Sequence, residues 1–227
     1  MIPVVNARWG RYLRKGLAAL LDEADAVRVP PRAAPIDKPV PERGLTTLAE
    51  EPTKKDLRKV EQKISSKGTS IKQIPAVFKK PEIFDIDEGS VNLDIGGGRY
   101  DLGTDYLQKE RGIENLVLDK FNRSSKHNEE VLSRIQKREG ADSATVANVL
   151  NVIKEPEIRG EVIQQSYDNT REGGKVFFQI HQGSGKEAGK GAGRETSKGW
   201  QNYKKTSEYV PEIEKILERV MFREKEI

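Results

Sequence analysis

Between residues 90 and 180, short apolar runs alternate with segments of helical period, and the connections between them are short. Residues 90–95, 115–118, 143–150 and 175–180 read as strands, and 102–111, 128–138 and 156–169 as helices. Strands separated by a helix cannot pair as tight hairpins, so they pair in parallel through right-handed crossovers. Residues 211–222 add a last amphipathic helix, with Ile213, Ile216, Leu217 and Val220 on one face. The predicted fold class is α/β, a doubly wound, mostly parallel sheet with a helical N-terminal extension.

That extension is predicted in three parts. In residues 1–29, Trp9, Tyr12, Leu13, Gly16, Leu17, Leu20, Leu21 and Ala24 share one face of an amphipathic helix. Its bases come first and its acids last, against the helix dipole, so it needs something to pack on. Its own domain, a second copy, a partner in a larger assembly or a membrane surface would serve. Six prolines in residues 30–52 make an extended linker. Residues 53–80, with Leu57, Val60 and Ile64 in helical register, read as a helical prelude to a domain spanning 53–227.

Composition narrows the chemistry. With 35% hydrophobic and 33% charged residues, the 227-residue chain supports one packed domain with polar appendages. No stretch has the ~18–20 uninterrupted apolar residues of a membrane span, and no targeting signal stands out, so a cytoplasmic protein is expected. The absence of cysteine excludes disulfides, thiolate metal sites and cysteine nucleophiles. Any metal site would rest on carboxylates and the two histidines, His127 and His181, and none is predicted.

The strand Leu93–Asp94–Ile95 runs into Gly96–Gly97–Gly98 where an open α/β sheet binds ligands, beyond a strand's carboxyl end. Asp119, 25 residues after Asp94, sits at the tip of the next strand, where a carboxylate can accept ribose hydroxyls. The dinucleotide fingerprint G-x-G-x-x-G fails at Asp101, and no G-K-[ST] follows the turn. NAD(P) enzymes and P-loop NTPases are therefore disfavoured.

The glycine turn behind Asp94, the strand-end Asp119 and the segment Val146–Ala147–Asn148–Val149–Leu150–Asn151 together resemble class I S-adenosylmethionine-dependent methyltransferases, a Rossmann-like fold. More narrowly, Asp119–Lys120–Phe121–Asn122–Arg123–Ser124 with His127–Asn128, and Thr196–Ser197–Lys198–Gly199–Trp200–Gln201–Asn202 before Tyr209, are similar to bacterial and phage methyltransferase-domain proteins. The resemblance covers about residues 63–222. It implies S-adenosylmethionine as cofactor, with Gly96, Gly97 and Gly98 along its methionine and ribose and Asp94 supporting the turn and facing the ammonium. Asp119 would take the ribose hydroxyls, Lys120 and Phe121 would lie beside the adenine, and Asn148 and Val149 would flank the methyl group. Asp142 is the candidate for the adenine amino group. The third family glycine is replaced by Tyr100, and only 26 residues separate Asp119 from Thr145, too few for the usual extra strand and helix.

Methyl transfer asks mainly for in-line positioning and a route for the acceptor's proton. Asn151 and His181 are the candidate catalytic residues, with Gln179 beside them, because they fall at the ends of the last two predicted parallel strands. The [DNS]-P-P-[YFW] signature of amino-directed DNA methyltransferases is missing. Residues 182–205 form a predicted glycine- and lysine-rich loop with Lys198, Trp200 and Gln201 as substrate candidates. Such a loop suits an anionic ligand such as nucleic acid, or a lid over a small acceptor. The acceptor itself is not specified. The rival expectation is a non-catalytic cofactor-binding or structural module that docks through its N-terminal helix.

Overall fold

The computed structural model describes residues 25–28, 61–183 and 189–223. Its elements run β1 (Asp25–Arg28), β2 (Val91–Ile95), α1 (Leu102–Arg111), β3 (Glu114–Leu118), α2 (Ser125–Lys137), β4 (Ala141–Ala147), α3 (Pro156–Asp168), β5 (Thr170–Gln179), β6 (Gly191–Thr196), β7 (Gly199–Tyr203) and α4 (Val210–Arg223). The main sheet has the order β1-β5-β4-β2-β3. Strands β2 to β5 are mutually parallel, and β1 pairs antiparallel with β5.

Helices cover both faces, which is why every residue of β2 is buried. Val91, Leu93 and Ile95 join Leu116, Val146 and Phe178 in a core closed by Val131 and Ile135 of α2, Ile163 and Tyr167 of α3, and Ile213 and Leu217 of α4. The opposite face carries a second core of Phe177, Leu107, Ile113, Val77, Phe78 and Phe84. Alternation along β2 points Asn92 and Asp94 the other way from Leu93. Asn92 Oδ1 accepts from Ser143 Oγ (2.7 Å) and Thr145 Oγ1 (3.0 Å). Its Nδ2 donates to Asn115 Oδ1 (2.7 Å), and Asn115 Nδ2 donates to Thr104 Oγ1 (3.0 Å). A one-residue slip of β2, β3 or β4 would leave these buried groups unpaired, so the row fixes register.

Strand β3 ends the sheet, and α2 closes its free edge with side chains. The Asn128 amide accepts from the Asp119 N–H (3.1 Å) and donates to the Asp119 carbonyl (3.0 Å), as a neighbouring strand would. His127 Nε2 donates to the Val117 carbonyl (2.8 Å). Ser124 caps the same helix by accepting from the His127 N–H (3.2 Å).

Four expectations are corrected. Residues 25–28, expected in a helix, form a strand, because pairing with the open edge of β5 outweighs a local helical pattern. The rest of the expected N-terminal helix, the proline linker and residues 53–60 lie outside the described residues. Within 61–80 the prelude is not an α-helix but two 3₁₀ turns, Lys67–Thr69 and Ala76–Lys79. Gly68 and Pro75 interrupt the helical period, and the segment bonds to remote parts of the domain instead: Ser66 Oγ donates to the Val152 carbonyl beyond β4 (2.9 Å), and the Val77 N–H to Gln179 Oε1 at the end of β5 (2.8 Å). Strand β4 stops at Ala147 rather than 150, since Asn148 turns the chain into a 3₁₀ turn at Leu150–Val152. Within the expected loop 182–205, residues 191–203 form the β6–β7 hairpin, and 184–188 lie outside the described residues.

Candidate functional site

The order β3-β2-β4 places the first parallel strand between its two successors, so the chain reverses direction in the sheet between β2 and β4. Gly96 (φ +72°) and Gly98 (φ +79°) turn the chain out of β2 in the left-handed region, where a side chain is strained. Space demands glycine at Gly96 too, and at Gly97. A Cβ at Gly96 would lie 2.5 Å from Val149 Cγ2, and one at Gly97 2.5 Å from Asp94 Oδ2.

The turn is bound to the tip of β3. The Gly96 N–H donates to the Leu118 carbonyl (2.8 Å) and the Gly98 N–H to Asp119 Oδ2 (2.9 Å). Asp119 Oδ1 accepts from the N–H groups of Phe121 and Asn122, both at 2.8 Å, which folds residues 119–122 into an Asx turn. Arg123 clamps the other side, donating from Nε to the Gly98 carbonyl (3.0 Å) and from Nη2 to Asp101 (2.5 Å). Sequence reasoning gave Arg123 no role; its place just beyond the Asx turn is the signal that could have found it.

Asp94 is 4% exposed, under Gly97. Burial pushes its carboxyl up to about 7; the Asn115 amide opposes this, Asp119 adds to it, and Arg123 opposes it. Asp94 therefore supports the turn from inside the sheet.

On the far side of the reversal, Asn148 has φ +59° and donates its N–H to the Gln179 carbonyl (2.7 Å). Asparagine is among the few residues that adopt this conformation readily, and it aims the chain so that Val149 packs on Gly96. Lys120 is exposed, with its ammonium 5.7 Å from the Phe121 ring.

The hairpin reaches Asn151 through a chain of amides whose orientations are forced. Trp200 Nε1 is a donor only and meets Asn202 Oδ1 (3.0 Å), which turns Asn202 Nδ2 onto the Ile153 carbonyl (3.1 Å). Gln201 Nε2 donates to the Asn202 carbonyl (2.6 Å), so Gln201 Oε1 is left to accept from Asn151 Nδ2 (3.4 Å). Asn151, 2% exposed, is left with an Oδ1 that has no donor. Two residues expected on separate grounds, Asn151 and Gln201, thus meet. Lys154 holds its ammonium 4.9 Å from the Trp200 ring. His181 and Lys198 are exposed. Gln179, accepting from the Val77 N–H, is engaged in packing the prelude.

Asp142 is misplaced for an adenine contact. It sits at the amino end of β4, away from the glycine turn, where it accepts from the Val91 N–H (2.7 Å) and Arg171 Nε (2.7 Å). Partial burial acts to raise its pKa, yet these two partners and Arg138 hold it below the ordinary value.

A cleft of about 200 Å³ that the sequence did not announce opens along β3, lined by Thr104, Asn115, Val117, Arg123, His127 and Arg134 among others. Among the described residues no cluster of three His, Asp or Glu side chains is placed to hold a metal ion, and no helix is long and apolar enough to cross a membrane. No protein-family model and no curated protein sequence matches this chain.

Proposed function

We propose that the chain is an S-adenosylmethionine-dependent methyltransferase on a Rossmann-like doubly wound sheet. The observation that carries this reading is the bond between Asp119 and Gly98, which makes the left-handed glycine turn and a buried carboxylate one unit beside the strand-order reversal. Ligands of open α/β sheets bind at such a reversal. Asp119 Oδ2 accepts from the Gly98 N–H (2.9 Å) and, at 3.3 Å, from Asn122 Nδ2, so a ribose hydroxyl would take the place of the longer of these two bonds. Gly96 and Gly98 would line the methionine and ribose, Lys120 and Phe121 the adenine, and Asn148 and Val149 the reactive end.

The bound cofactor would supply an already activated methyl group, which leaves the protein to position the acceptor. Asn151 Oδ1 suits an acceptor that carries an N–H or O–H, because it is a buried acceptor lacking a donor. His181, exposed after β5, would take part as a proton carrier. Asn151→Leu should leave the unfolding free energy unchanged or about 1 kcal/mol higher, since it removes an unsatisfied buried group. Urea unfolding checks this, and a loss of stability would show that the Asn151–Gln201 bond is structural.

A second reading, a cofactor-binding or structural module without turnover, is favoured by one feature. Three donors at the turn are engaged within the protein, Gly96 to Leu118, Gly98 to Asp119, and the Arg99 N–H to Ser70 Oγ (3.1 Å). Calorimetric titration with S-adenosylmethionine, S-adenosylhomocysteine, NAD and ATP separates the two readings. Micromolar binding of the first two alone is expected. Silence from all four would make the turn structural and put the second reading first.

A further inference from the structure

Three cationic residues distant in sequence are brought together through their backbones beside the glycine turn. Arg99 Nη2 donates to the Lys67 carbonyl (2.7 Å). The hairpin turn packs backbone to backbone on the same prelude: a Cβ at Gly68 would lie 2.7 Å from the Lys198 carbonyl oxygen, and one at Gly199 2.7 Å from that of Ser65. Lys67, Arg99 and Lys198 are all exposed, and none forms an ion pair with a carboxylate of the described residues. The nearest acid in sequence to Arg99, Asp101, is already paired with Arg123.

The apolar surface gathers at the same place. Among the described residues the exposed large hydrophobic side chains are Ile71, 52% exposed, and Tyr100, 38% exposed. Tyr100 follows Arg99, whose guanidinium lies 5.9 Å from its ring. Ile71 follows Ser70, the residue that holds the Arg99 N–H.

Cations without carboxylate partners around a part-exposed aromatic ring match a ligand with a phosphate per unit and a flat ring to stack. Duplex bases hide their faces in the stack, whereas a single strand offers them. We propose that the rim formed by Lys67, Arg99, Tyr100 and Lys198 binds single-stranded nucleic acid. Lys67, Arg99 and Lys198 would follow the phosphates while Tyr100 stacks on a base. Tyr100 then has a use at the position where the methyltransferase pattern has glycine. That the strand also carries the methyl acceptor rests on the function proposed above; the binding does not.

Fluorescence anisotropy of labelled single-stranded DNA and RNA oligonucleotides of about 20 nucleotides, without any cofactor, tests the proposal across a salt series. Binding should weaken as salt rises, and Lys67→Ala with Lys198→Ala should flatten the log–log slope by about 1.4, at ~0.7 for each phosphate no longer neutralised. Tyr100→Ala should weaken binding about fivefold or more with the slope unchanged, the effect of unstacking one base. The lysine changes leave the packed backbone of Gly68 and Gly199 in place, and thermal melting verifies that the variants fold. Absence of wild-type binding at low salt would overturn the proposal, as would variants that bind like the wild type. Equal binding to phosphatidylserine vesicles, insensitive to Tyr100→Ala, would also overturn it by showing a generic anion surface. A strand that binds when S-adenosylmethionine does not would leave this site standing without the enzyme; the reverse would leave an enzyme for a small acceptor.

Discussion

Asp94→Asn should raise the unfolding free energy at pH 8 by about 4 kcal/mol and leave it nearly unchanged at pH 3.5. The buried carboxyl has its pKa raised to about 7 from an ordinary 3.8, chiefly by desolvation. Between these values the folded state holds a proton that the unfolded state has released, so stability falls as pH rises. The stabilising contribution of the protonated form is complete below about pH 4 and lost once pH passes about 7. A shift of roughly three pK units at 1.36 kcal/mol each sets the size. Asparagine keeps an oxygen to accept from Asn115 and carries no charge to desolvate. Urea unfolding of both proteins at pH 3.5, 6 and 8 measures it, and parallel pH profiles would show that Asp94 is not the titrating group.

Asp119→Ala should cost about 3–5 kcal/mol at neutral pH, because three backbone N–H groups lose a charged acceptor at once. Unfolding of this variant should also be less pH-dependent, since Asp119 is one of the charges that raise Asp94. Equal stability of variant and wild type would mean that water replaces the carboxylate at all three donors. The size of the effect bears on any binding assay: lower cofactor affinity in this variant would report a disordered turn as readily as a missing ribose partner. Titrations on the wild-type protein, with several nucleosides compared, avoid the confusion.

Much of the sheet was legible because both periods were clean. Val91, Leu93 and Ile95 alternate with Asn92 and Asp94, and 102–111 reads as a helix whose Gly112 (φ +60°) ends it. The glycine turn and Asp119 were legible for the same reason, as strand-end positions. What stayed hidden depends on packing between remote segments. Nothing local in Asp25–Arg28 announces that β5 has a vacant edge for it. The hairpin was masked by Gly191, Gly193 and Gly199, poor strand formers, and its place is held by Asn202 on the Ile153 carbonyl. The forced amide orientation that leaves Asn151 with a bare oxygen needs Trp200 and Gln201 brought within reach from about fifty residues away.

The Asn128 amide has a consequence for how wide this sheet can be. Open α/β sheets widen by adding a further strand–helix unit at an edge, and the next strand must bond the outward peptide groups of the last. At Asp119 those groups are already matched by one side chain that imitates a peptide. Recruiting another strand there, from an insertion or from a second molecule, would first have to break two good hydrogen bonds and move α2. The small number of residues between β3 and β4 is thus not a truncation with a raw margin but a finished border, set by Asn128 together with His127 on the Val117 carbonyl.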